Sequence, residues 1–223
     1  MGKALLRLVQ ADSRFELVAA ASRSGSAIEG LMVPVFAAGE LPRCPPFDVA
    51  IDFSLPDGFD AILAECVQRG AALVSGTTGL DERQRALLAE AGRDIAVLWA
   101  SNFSLGVVVL EDLVRRASKA LRQWQVGITE THHVHKRDAP SGTALTLANA
   151  ARQDSGALPA IHSVREGEVV GEHVVRFSGP GESLELAHMA IDRDVFTLGA
   201  LEAAARLKSC PAGNWQLSAL ILG

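Results

Sequence analysis

The segment 130–144, ETHHVHKRDAPSGTA, brings three histidines, a lysine and an arginine together within a few residues. Histidine titrates near neutral pH, and the pKa of a lysine can be moved there by its surroundings, so both residue types can donate protons in a reaction. The N–H groups of Gly142 and Thr143 fall at the start of an expected helix, where they have no acceptor within the helix and suit a carboxylate or phosphate. Proton donors beside an anion cradle predict an active site for an acidic small molecule.

This segment is expected to begin where a strand ends and to finish where a helix starts. Val126 and Ile128 alternate with polar or small neighbours, a period of two that is typical of a half-buried strand. Pro140 and Ser141 precede apolar residues at helical spacing, namely Ala144, Leu145, Leu147, Ala148 and Ala151. An ordinary surface loop is the alternative, but several chemical roles converge in this one short stretch, which favours the active site.

A metal site built from His132, His133 and His135 is a second alternative. Adjacent residues on an extended chain point to opposite faces, so at most His133 and His135 could share one ion. No spaced cysteine or carboxylate cluster supplies the remaining ligands. The sequence therefore predicts no metal.

The pattern Glu-x-His-His-x-x-Lys-x-Asp-Ala-Pro-Ser-Gly-Thr-Ala resembles the signature of the dihydrodipicolinate reductase family, also called 4-hydroxy-tetrahydrodipicolinate reductases, which are enzymes of lysine biosynthesis. The match is specific because its consecutive positions mix several kinds of chemistry. The resemblance implies that NADPH or NADH reduces the cyclic dicarboxylate 4-hydroxy-tetrahydrodipicolinate to tetrahydrodipicolinate with loss of water.

The resemblance also implies roles for individual residues. His132 matches the acid–base group and Lys136 the second proton donor. Glu130 and Asp138 would orient these groups. The implied substrate-binding residues are His133, Gly142, Thr143 and Arg193.

Composition excludes several other classes of protein. The 223 residues are 48% hydrophobic, enough to bury a sizeable core in one large or two small domains. The net charge of −5 gives no overall attraction to nucleic acid or to an anionic membrane. No apolar run approaches the roughly 20 residues that span a bilayer. Cys44, Cys66 and Cys210 lack ligand spacing and are interpreted as reduced thiols of a cytoplasmic protein.

Short apolar strands alternate with amphipathic helices through the first half of the chain. We predict helices at 1–9, 57–69 and 81–91, and strands at 15–21, 71–75 and 95–99, with a further strand that ends at 51–54. This alternation predicts a parallel sheet covered by helices on both faces, with ligands bound at the carboxyl ends of its strands.

Polar loops follow three of these predicted strands. An arginine after the strand 15–21 favours the extra phosphate of NADP over NAD, and the loop after the strand 71–75 would supply two hydroxyls. The loop after strand 71–75 and the loop after strand 95–99 could each be an ordinary turn if considered alone. Both occur in the expected order along the chain, ahead of segment 130–144, and this order supports cofactor binding. The predicted cofactor-binding residues are Met1, Ser22, Arg23, Gly76, Thr77, Thr78, Ala100, Ser101, Asn102 and Phe103.

The resemblance further implies a first strand and a glycine-rich phosphate loop, of which Met1-Gly2 matches only the end. We expect a start codon assigned too far downstream, because removal of a central strand would expose backbone groups of its neighbours. Two alternative functions therefore stay open. One is a non-catalytic remnant that keeps the substrate pocket and oligomer interface, and the other is a different nicotinamide-dependent dehydrogenase of two domains.

The second half of the chain has a different pattern. A helix at 105–121 precedes segment 130–144, and strands are predicted at 161–164, 168–178 and 183–191, with a hairpin turn at 179–182. His188 is interpreted as a packed sheet residue. The expected α/β protein has an N-terminally incomplete Rossmann-like dinucleotide-binding domain (1–103 and 194–223, with a helix at 195–208) and an α+β substrate-binding domain (104–193). The resemblance implies that the open mixed sheet of the latter builds a homotetramer, and self-association that covers its apolar face is also the physical expectation.

Overall fold

The computed structural model describes residues 1–152 and 158–223, which belong to two compact units. Unit 1 comprises Met1–Phe103 and Phe196–Gly223, and unit 2 comprises Ser104–Val195. The functional roles assigned from the sequence to the two predicted domains stay predictions.

Helices and strands alternate along most of the described chain. The helices are α1 (Gly2–Ala11), α2 (Pro56–Arg69), α3 (Glu82–Ala91), α4 (Leu105–Ala120), α5 (Gly142–Ala150), α6 (Asp194–Leu207) and α7 (Leu217–Leu222), with a 3₁₀ helix at Ala38–Arg43. The strands are β1 (Ala20–Ala21), β2 (Val35–Phe36), β3 (Val49–Asp52), β4 (Ala72–Ser75), β5 (Ala96–Trp99), β6 (Gln125–His132), β7 (Ala160–Arg165), β8 (Gly171–Gly179), β9 (Glu182–Ala190) and β10 (Gly213–Trp215).

Unit 1 is organised by a parallel sheet with the strand order β10-β5-β4-β3. The two central strands are buried along almost their whole length, as expected for parallel strands covered by helices. Their apolar side chains join those of α2 and α3 in one core, which includes Phe59, Leu63, Leu73, Leu88 and Val97. The predicted α/β sheet is confirmed.

The predicted strand at 15–21 is wrong in its length. Only Ala20–Ala21 pairs, in parallel with Val35–Phe36, and these four residues form a separate two-stranded sheet. Pro34 limits this ladder at the start of β2, because it has no N–H to donate, although its carbonyl accepts from Ala20 N at 3.0 Å. Strands of two residues carry no periodicity, so β2 and the 3₁₀ helix after it were not predicted.

Unit 2 contains a mixed sheet with the strand order β7-β6-β8-β9. Strand β6 runs parallel to β7 and antiparallel to β8, and a turn at 179–182 joins β8 to β9 as a hairpin. Helices α4 and α5 pack on one face, where the core includes Val114, Ile128, Leu147, Val175 and Phe177. The predicted open mixed sheet is confirmed, although β8 begins at Gly171 rather than at residue 168.

None of the helices within residues 1–152 and 158–223 combines the length and the apolar character needed to cross a bilayer.

Candidate active site

Strand β6 places Glu130 and His132 on the same buried face of the unit 2 sheet. Residues two apart on a strand share a face, and both side chains point towards the side that carries α4 and α5. Glu130 is fully buried, and His132 is 7% exposed. The Glu130 Oε2 atom lies within hydrogen-bond reach of His132 Nδ1. A carboxylate oxygen can only accept, so His132 carries its hydrogen on Nδ1 and leaves Nε2 as the nitrogen available for a substrate.

Several donors compensate the buried charge of Glu130. Arg165 Nη2 donates to Glu130 Oε1 at 2.9 Å, and the backbone N–H of Ser141 donates to the same oxygen at 3.3 Å. Burial alone would raise the pKa of this carboxyl, but hydrogen bonds from Arg165, Ser163 and His132 outweigh it and lower the pKa to about 2. Glu130 is therefore ionised throughout the physiological range.

Burial has the opposite consequence for His132. It lowers the pKa of the imidazole, since the charged form loses hydration, while the adjacent Glu130 carboxylate partly opposes this shift. Gly171 of β8 lies against the Nε2 side of the ring, and a Cβ at this position would come within 3.1 Å of Nε2. The absence of a side chain at Gly171 keeps space beside the available nitrogen.

A second buried histidine packs against this ring. His173 of β8 meets His132 edge to face, with ring centroids 5.2 Å apart, and it lies opposite Glu130 in the β6–β8 register. Its Nε2 atom is 3.2 Å from the hydroxyl of Ser141. Burial lowers the pKa of His173 to about 4, so it is neutral at physiological pH.

The loop after β6 carries Lys136. Two backbone hydrogen bonds hold the start of this loop against 166–169, from His133 N to Val169 O at 2.7 Å and from Val134 N to Gly167 O at 3.2 Å. The Lys136 ammonium is half-buried and lies 2.8 Å from the carboxylate of Asp138. The backbone carbonyl of Asp138 accepts from Arg165 Nη2, the same atom that binds Glu130. The guanidinium of Arg165 therefore contacts both the loop that carries Lys136 and the buried Glu130–His132 pair.

Helix α5 begins directly after this loop. The Ser141 hydroxyl caps it by accepting from Ala144 N at 3.2 Å, and Gly142 and Thr143 form the first turn of the helix. Gly142 is exposed, and nothing lies within 4 Å of the position that its Cβ would occupy. Open space beside a helix N-terminus suits an anionic group.

The remaining predicted substrate residues are more dispersed. His133 is half-buried, and its ring centroid lies 6.2 Å from that of the exposed His135. Arg193 is exposed in the turn between β9 and α6. The structure gives Arg193 no hydrogen bond or ion pair with the described residues that surround His132.

The predicted cofactor residues lie in unit 1, mostly in loops. Met1 precedes α1, Ser22 and the exposed Arg23 follow β1, and the exposed Thr78 and Ser101 belong to the loops after β4 and β5. Because β4 and β5 are parallel neighbours, these two loops emerge at the same edge of the sheet. Ala100 N donates to Ser75 O at 3.1 Å, and Asn102 is half-buried.

Two predicted cofactor residues use their side chains inside the unit. The Thr77 hydroxyl is buried and lies 2.7 Å from the buried carboxylate of Asp52, so the prediction of two available hydroxyls in this loop is wrong for Thr77. Phe103 is 1% exposed and packs edge to face on Phe53 with ring centroids 5.6 Å apart. Neither side chain is free to contact a ligand, because folding buries both against neighbouring side chains. Gly76 also packs closely, since a Cβ there would come within 2.2 Å of the Phe53 ring.

Glu130, His132 and His173 place potential metal-ligand atoms within 4.8 Å of one another. Two of these residues are hydrogen-bonded to each other, and Ser141 contacts the third. The guanidinium of Arg165 lies 2.9 Å from the carboxylate and would repel a divalent cation. The group is better described as a hydrogen-bonded network, and the prediction of no metal is kept.

Arg165, Ser163 and His173 were not predicted as site residues from the sequence. Arg165 directly follows the predicted strand 161–164, so its position at a strand end was a usable signal. The pairing of His132 with Arg165 and of Glu130 with Ser163 depends on the parallel register of β6 and β7, which no local pattern specifies.

Comparisons with known proteins agree over the whole chain. A family model described as "Dihydrodipicolinate reductase, N-terminus" matches residues 1–103, and one described as "Dihydrodipicolinate reductase, C-terminus" matches residues 106–221. The chain is 57% identical over 225 aligned residues to a 4-hydroxy-tetrahydrodipicolinate reductase of Xanthomonas axonopodis pv. citri, covering 100% of this chain and 93% of the relative. It is 51% identical to the protein of the same name from Xylella fastidiosa, with 100% and 94% covered.

Solved structures share the fold. A dipicolinate-bound dihydrodipicolinate reductase from Paenisporosarcina sp. TG-14 superposes with a TM-score of 0.81 at 24% identity and covers 98% of this chain and 94% of its own. A diaminopimelate dehydrogenase of C. glutamicum superposes with a TM-score of 0.59 at 14% identity, with 99% and 92% covered. The family models and the relatives above 50% identity all indicate the reductase family rather than the dehydrogenase. The chain belongs to the dihydrodipicolinate reductase family.

Proposed function

We propose that this chain is a 4-hydroxy-tetrahydrodipicolinate reductase that uses NADPH or NADH and acts in the diaminopimelate route to lysine. The observation that carries the proposal is the buried Glu130–His132 pair and its connection to the loop of Lys136 through the guanidinium of Arg165. This loop lies directly ahead of the N-terminus of α5. Relatives that cover the whole chain at 51–57% identity bear the name of this activity.

His132 is the acid–base group of the proposed reaction. Reduction of the substrate ring leaves negative charge that a nearby acid must neutralise, and Nε2 is the ring nitrogen free to transfer that proton. Burial makes the imidazolium a stronger acid than free histidine, while Glu130 stabilises it during the transfer. Lys136, oriented by Asp138 at 2.8 Å, is the second proton donor.

The α5 N-terminus is the proposed binding site for a substrate carboxylate. The backbone at Gly142 and Thr143, the Thr143 hydroxyl and the half-buried ring of His133 are the proposed hydrogen-bond donors to this carboxylate. Arg193, exposed at the end of β9, is a further proposed contact for the dicarboxylate. These groups bind and orient the substrate rather than react with it.

The residues of unit 1 fit a nicotinamide dinucleotide, which supplies the hydride when it is bound. The loops after the parallel strands β4 and β5 emerge at one edge of the sheet, and Thr78 and Ser101 are exposed there. The backbones of Gly76, Thr77 and Ala100 to Phe103 belong to the same two loops. Met1, Ser22 and Arg23 complete the proposed site, and the arginine charge supports recognition of the NADP phosphate.

We extend the proposal to a homotetramer in the cytoplasm. The unit 2 sheet face opposite α4 and α5 exposes residues such as Thr129, Ala187 and Met189, and a second copy would cover it. The three cysteines, one of them buried, are free, which supports a reducing compartment.

The direct test is oxidation of NADPH by the purified chain with freshly generated 4-hydroxy-tetrahydrodipicolinate. Turnover that depends on this substrate supports the reductase. A titration of NADPH fluorescence with the same protein separates the reductase from a non-catalytic remnant, because a remnant that cannot hold the dinucleotide leaves the emission unchanged. Binding of NADPH without turnover of this substrate would contradict the proposed activity.

A further inference from the structure

We propose that Arg165 is a positioning residue that holds the two proton donors of the site, His132 and Lys136, as one unit. This inference rests on the proposed reductase function. Arg165 acts through other groups, since it binds the carboxylate behind His132 and the backbone of the loop that carries Lys136.

The geometry around Arg165 supports this role. Strands β6 and β7 are parallel, with Arg165 opposite His132 in the register, and its side chain reaches back along β6 to Glu130. The Nη2 atom donates to Glu130 Oε1 at 2.9 Å and also to the carbonyl of Asp138. Nη1 donates to the Val164 carbonyl at 2.7 Å, which fixes the plane of the guanidinium.

A continuous series of contacts therefore joins the two proton donors. His132 contacts Glu130, Glu130 contacts Arg165, and Arg165 contacts the Asp138 backbone, while the Asp138 side chain lies 2.8 Å from the Lys136 ammonium. The side chain of Arg165 is 20% exposed and that of Glu130 is fully buried. A buried carboxylate that loses its cation is costly, so the Glu130–His132 pair depends on Arg165.

The charges around His132 make the role of Arg165 measurable. Burial lowers the pKa of His132, the Glu130 carboxylate on β6 raises it, and the positive charges of Lys136 on the loop and Arg165 on β7 lower it. His173 on β8 also packs against the His132 ring and is neutral at physiological pH. Removing Arg165 should therefore raise the pKa of His132, whereas removing the charge of Glu130 should lower it further.

The experiment compares Arg165→Met, Arg165→Lys and Glu130→Gln by NMR titration of the His132 ring and by steady-state kinetics. The His132 signal is assigned with His132→Gln. Arg165→Met should raise the pKa of His132 and reduce kcat about 10- to 100-fold, because loss of the shared guanidinium displaces both donors. Glu130→Gln should lower the pKa.

Arg165→Lys separates charge from geometry. Lysine restores a positive charge, so the pKa of His132 should return towards that of the parent chain. Lysine has one nitrogen, so it cannot bind Glu130 and the Asp138 carbonyl while a second nitrogen is anchored at the Val164 carbonyl, and kcat should recover only in part. Arg116→Met, which removes an exposed arginine paired with Asp112 on α4, is the matched control and should change neither quantity.

The outcomes separate this inference from the proposed function. An unchanged pKa of His132 in Arg165→Met, or full recovery of kcat in Arg165→Lys, would overturn the positioning role. If the parent chain lacked reductase activity, the opposite pKa shifts of Arg165→Met and Glu130→Gln would still be observable. Absence of activity together with these shifts would therefore count against the proposed function alone.

Discussion

His132 has the surroundings that a proton-transferring histidine requires. One nitrogen is fixed by the ionised Glu130, and the other lies beside Gly171, where no side chain obstructs it. Burial favours the neutral ring, while the carboxylate stabilises the charged ring when it forms. The two opposing influences keep both protonation states accessible, and this is the condition under which an acid–base group is effective.

Replacement of His132 by Gln should remove proton transfer while it keeps a polar side chain of similar size. We expect kcat to fall about a hundred- to ten-thousand-fold, the usual contribution of a general acid or base. The Michaelis constant for the dicarboxylate should change little, because His132 is not proposed to bind a carboxylate. Steady-state NADPH oxidation at varied substrate concentration measures both quantities.

Thr143→Ala is the matched comparison within the same site. Thr143 lies in the first turn of α5 and is proposed to bind a substrate carboxylate, so its loss should mainly raise the Michaelis constant. If His132→Gln instead affected only the Michaelis constant, or Thr143→Ala only kcat, the two roles would have to be exchanged.

At the scale of elements, a buried carboxylate connects the carboxyl ends of β3 and β4. Asp52, the last residue of β3, is 2% exposed and accepts from Ser54 N at 2.8 Å, Ser75 Oγ at 2.9 Å and Thr77 Oγ1 at 2.7 Å. All three donors are neutral, and two of them belong to β4 and the loop that follows it. The carboxylate thereby fixes the start of the proposed cofactor loop.

Asp52→Asn should loosen this loop. The amide has the size of the carboxylate, but its NH₂ group would face a donor, and an unsatisfied buried group costs about 1–3 kcal/mol. We expect a lower Tm and a larger rise in the Michaelis constant for NADPH than in that for the dicarboxylate. Thermal unfolding and steady-state kinetics check both effects.

Asp94→Asn is the control for this prediction, since Asp94 is an exposed carboxylate of the same unit. The Asp94→Asn variant should leave the Tm and the Michaelis constant for NADPH unchanged. Equal effects on both substrates in Asp52→Asn would indicate general destabilisation rather than a role in the cofactor loop.

The sequence was sufficient for the elements whose patterns are local. Ser141 and Asp81 mark helix starts with capping side chains. The period of two at Val126 and Ile128 predicted a strand that ends where segment 130–144 begins, whereas β6 continues to His132, so the shared face of Glu130 and His132 was not predicted. The Asp52 cluster and the contacts of Arg165 were not predictable in this way. They depend on which strands are neighbours and in which register, and that is decided by packing of the whole sheet rather than by adjacent residues.

At the scale of the whole molecule, the exposed face of the unit 2 sheet is the proposed contact between copies of the chain. Val174 lies near the middle of this face, paired with Thr129 on β6 and with Ala187 on β9. Val174→Glu should place a charge in the contact, which is unfavourable when the charge is desolvated. We expect the tetramer to dissociate into smaller species, as measured by light scattering after size-exclusion chromatography.

Val109→Glu is the matched control for the tetramer prediction. Val109 is an exposed valine of α4, on the opposite side of the sheet, and is 42% exposed. Its replacement should leave the mass of the assembly unchanged. A tetramer that survives Val174→Glu, or a monomeric parent chain, would contradict the proposed contact.

We expect acid stability to depend on unit 2 histidines whose pKa is lowered by burial, namely the buried His173 and the half-buried His188. Burial lowers the pKa of His173 to about 4 and also lowers that of His188, whereas an unfolded histidine titrates near its ordinary value. Between the lowered pKa and the ordinary histidine pKa, the unfolded chain binds more protons than the folded chain. The contribution of these histidines to the free energy of unfolding is therefore fully present above the ordinary pKa and is lost as the pH falls towards 4. Glu130, with a pKa of about 2, adds a second decline when the pH falls below the ordinary carboxyl range.

His173→Gln should therefore flatten the first decline, because the variant has one fewer group to protonate on unfolding. For His173 alone the expected loss between neutral pH and pH 4 is about 3 kcal/mol, from roughly 1.4 kcal/mol for each unit of pKa shift. The measurement is the free energy of unfolding from urea titrations across this pH range. His135→Gln, which removes an exposed histidine, should keep the parent slope. A parent chain whose stability did not change between neutral pH and pH 4 would show that His173 is charged, or accessible to solvent, in the folded state.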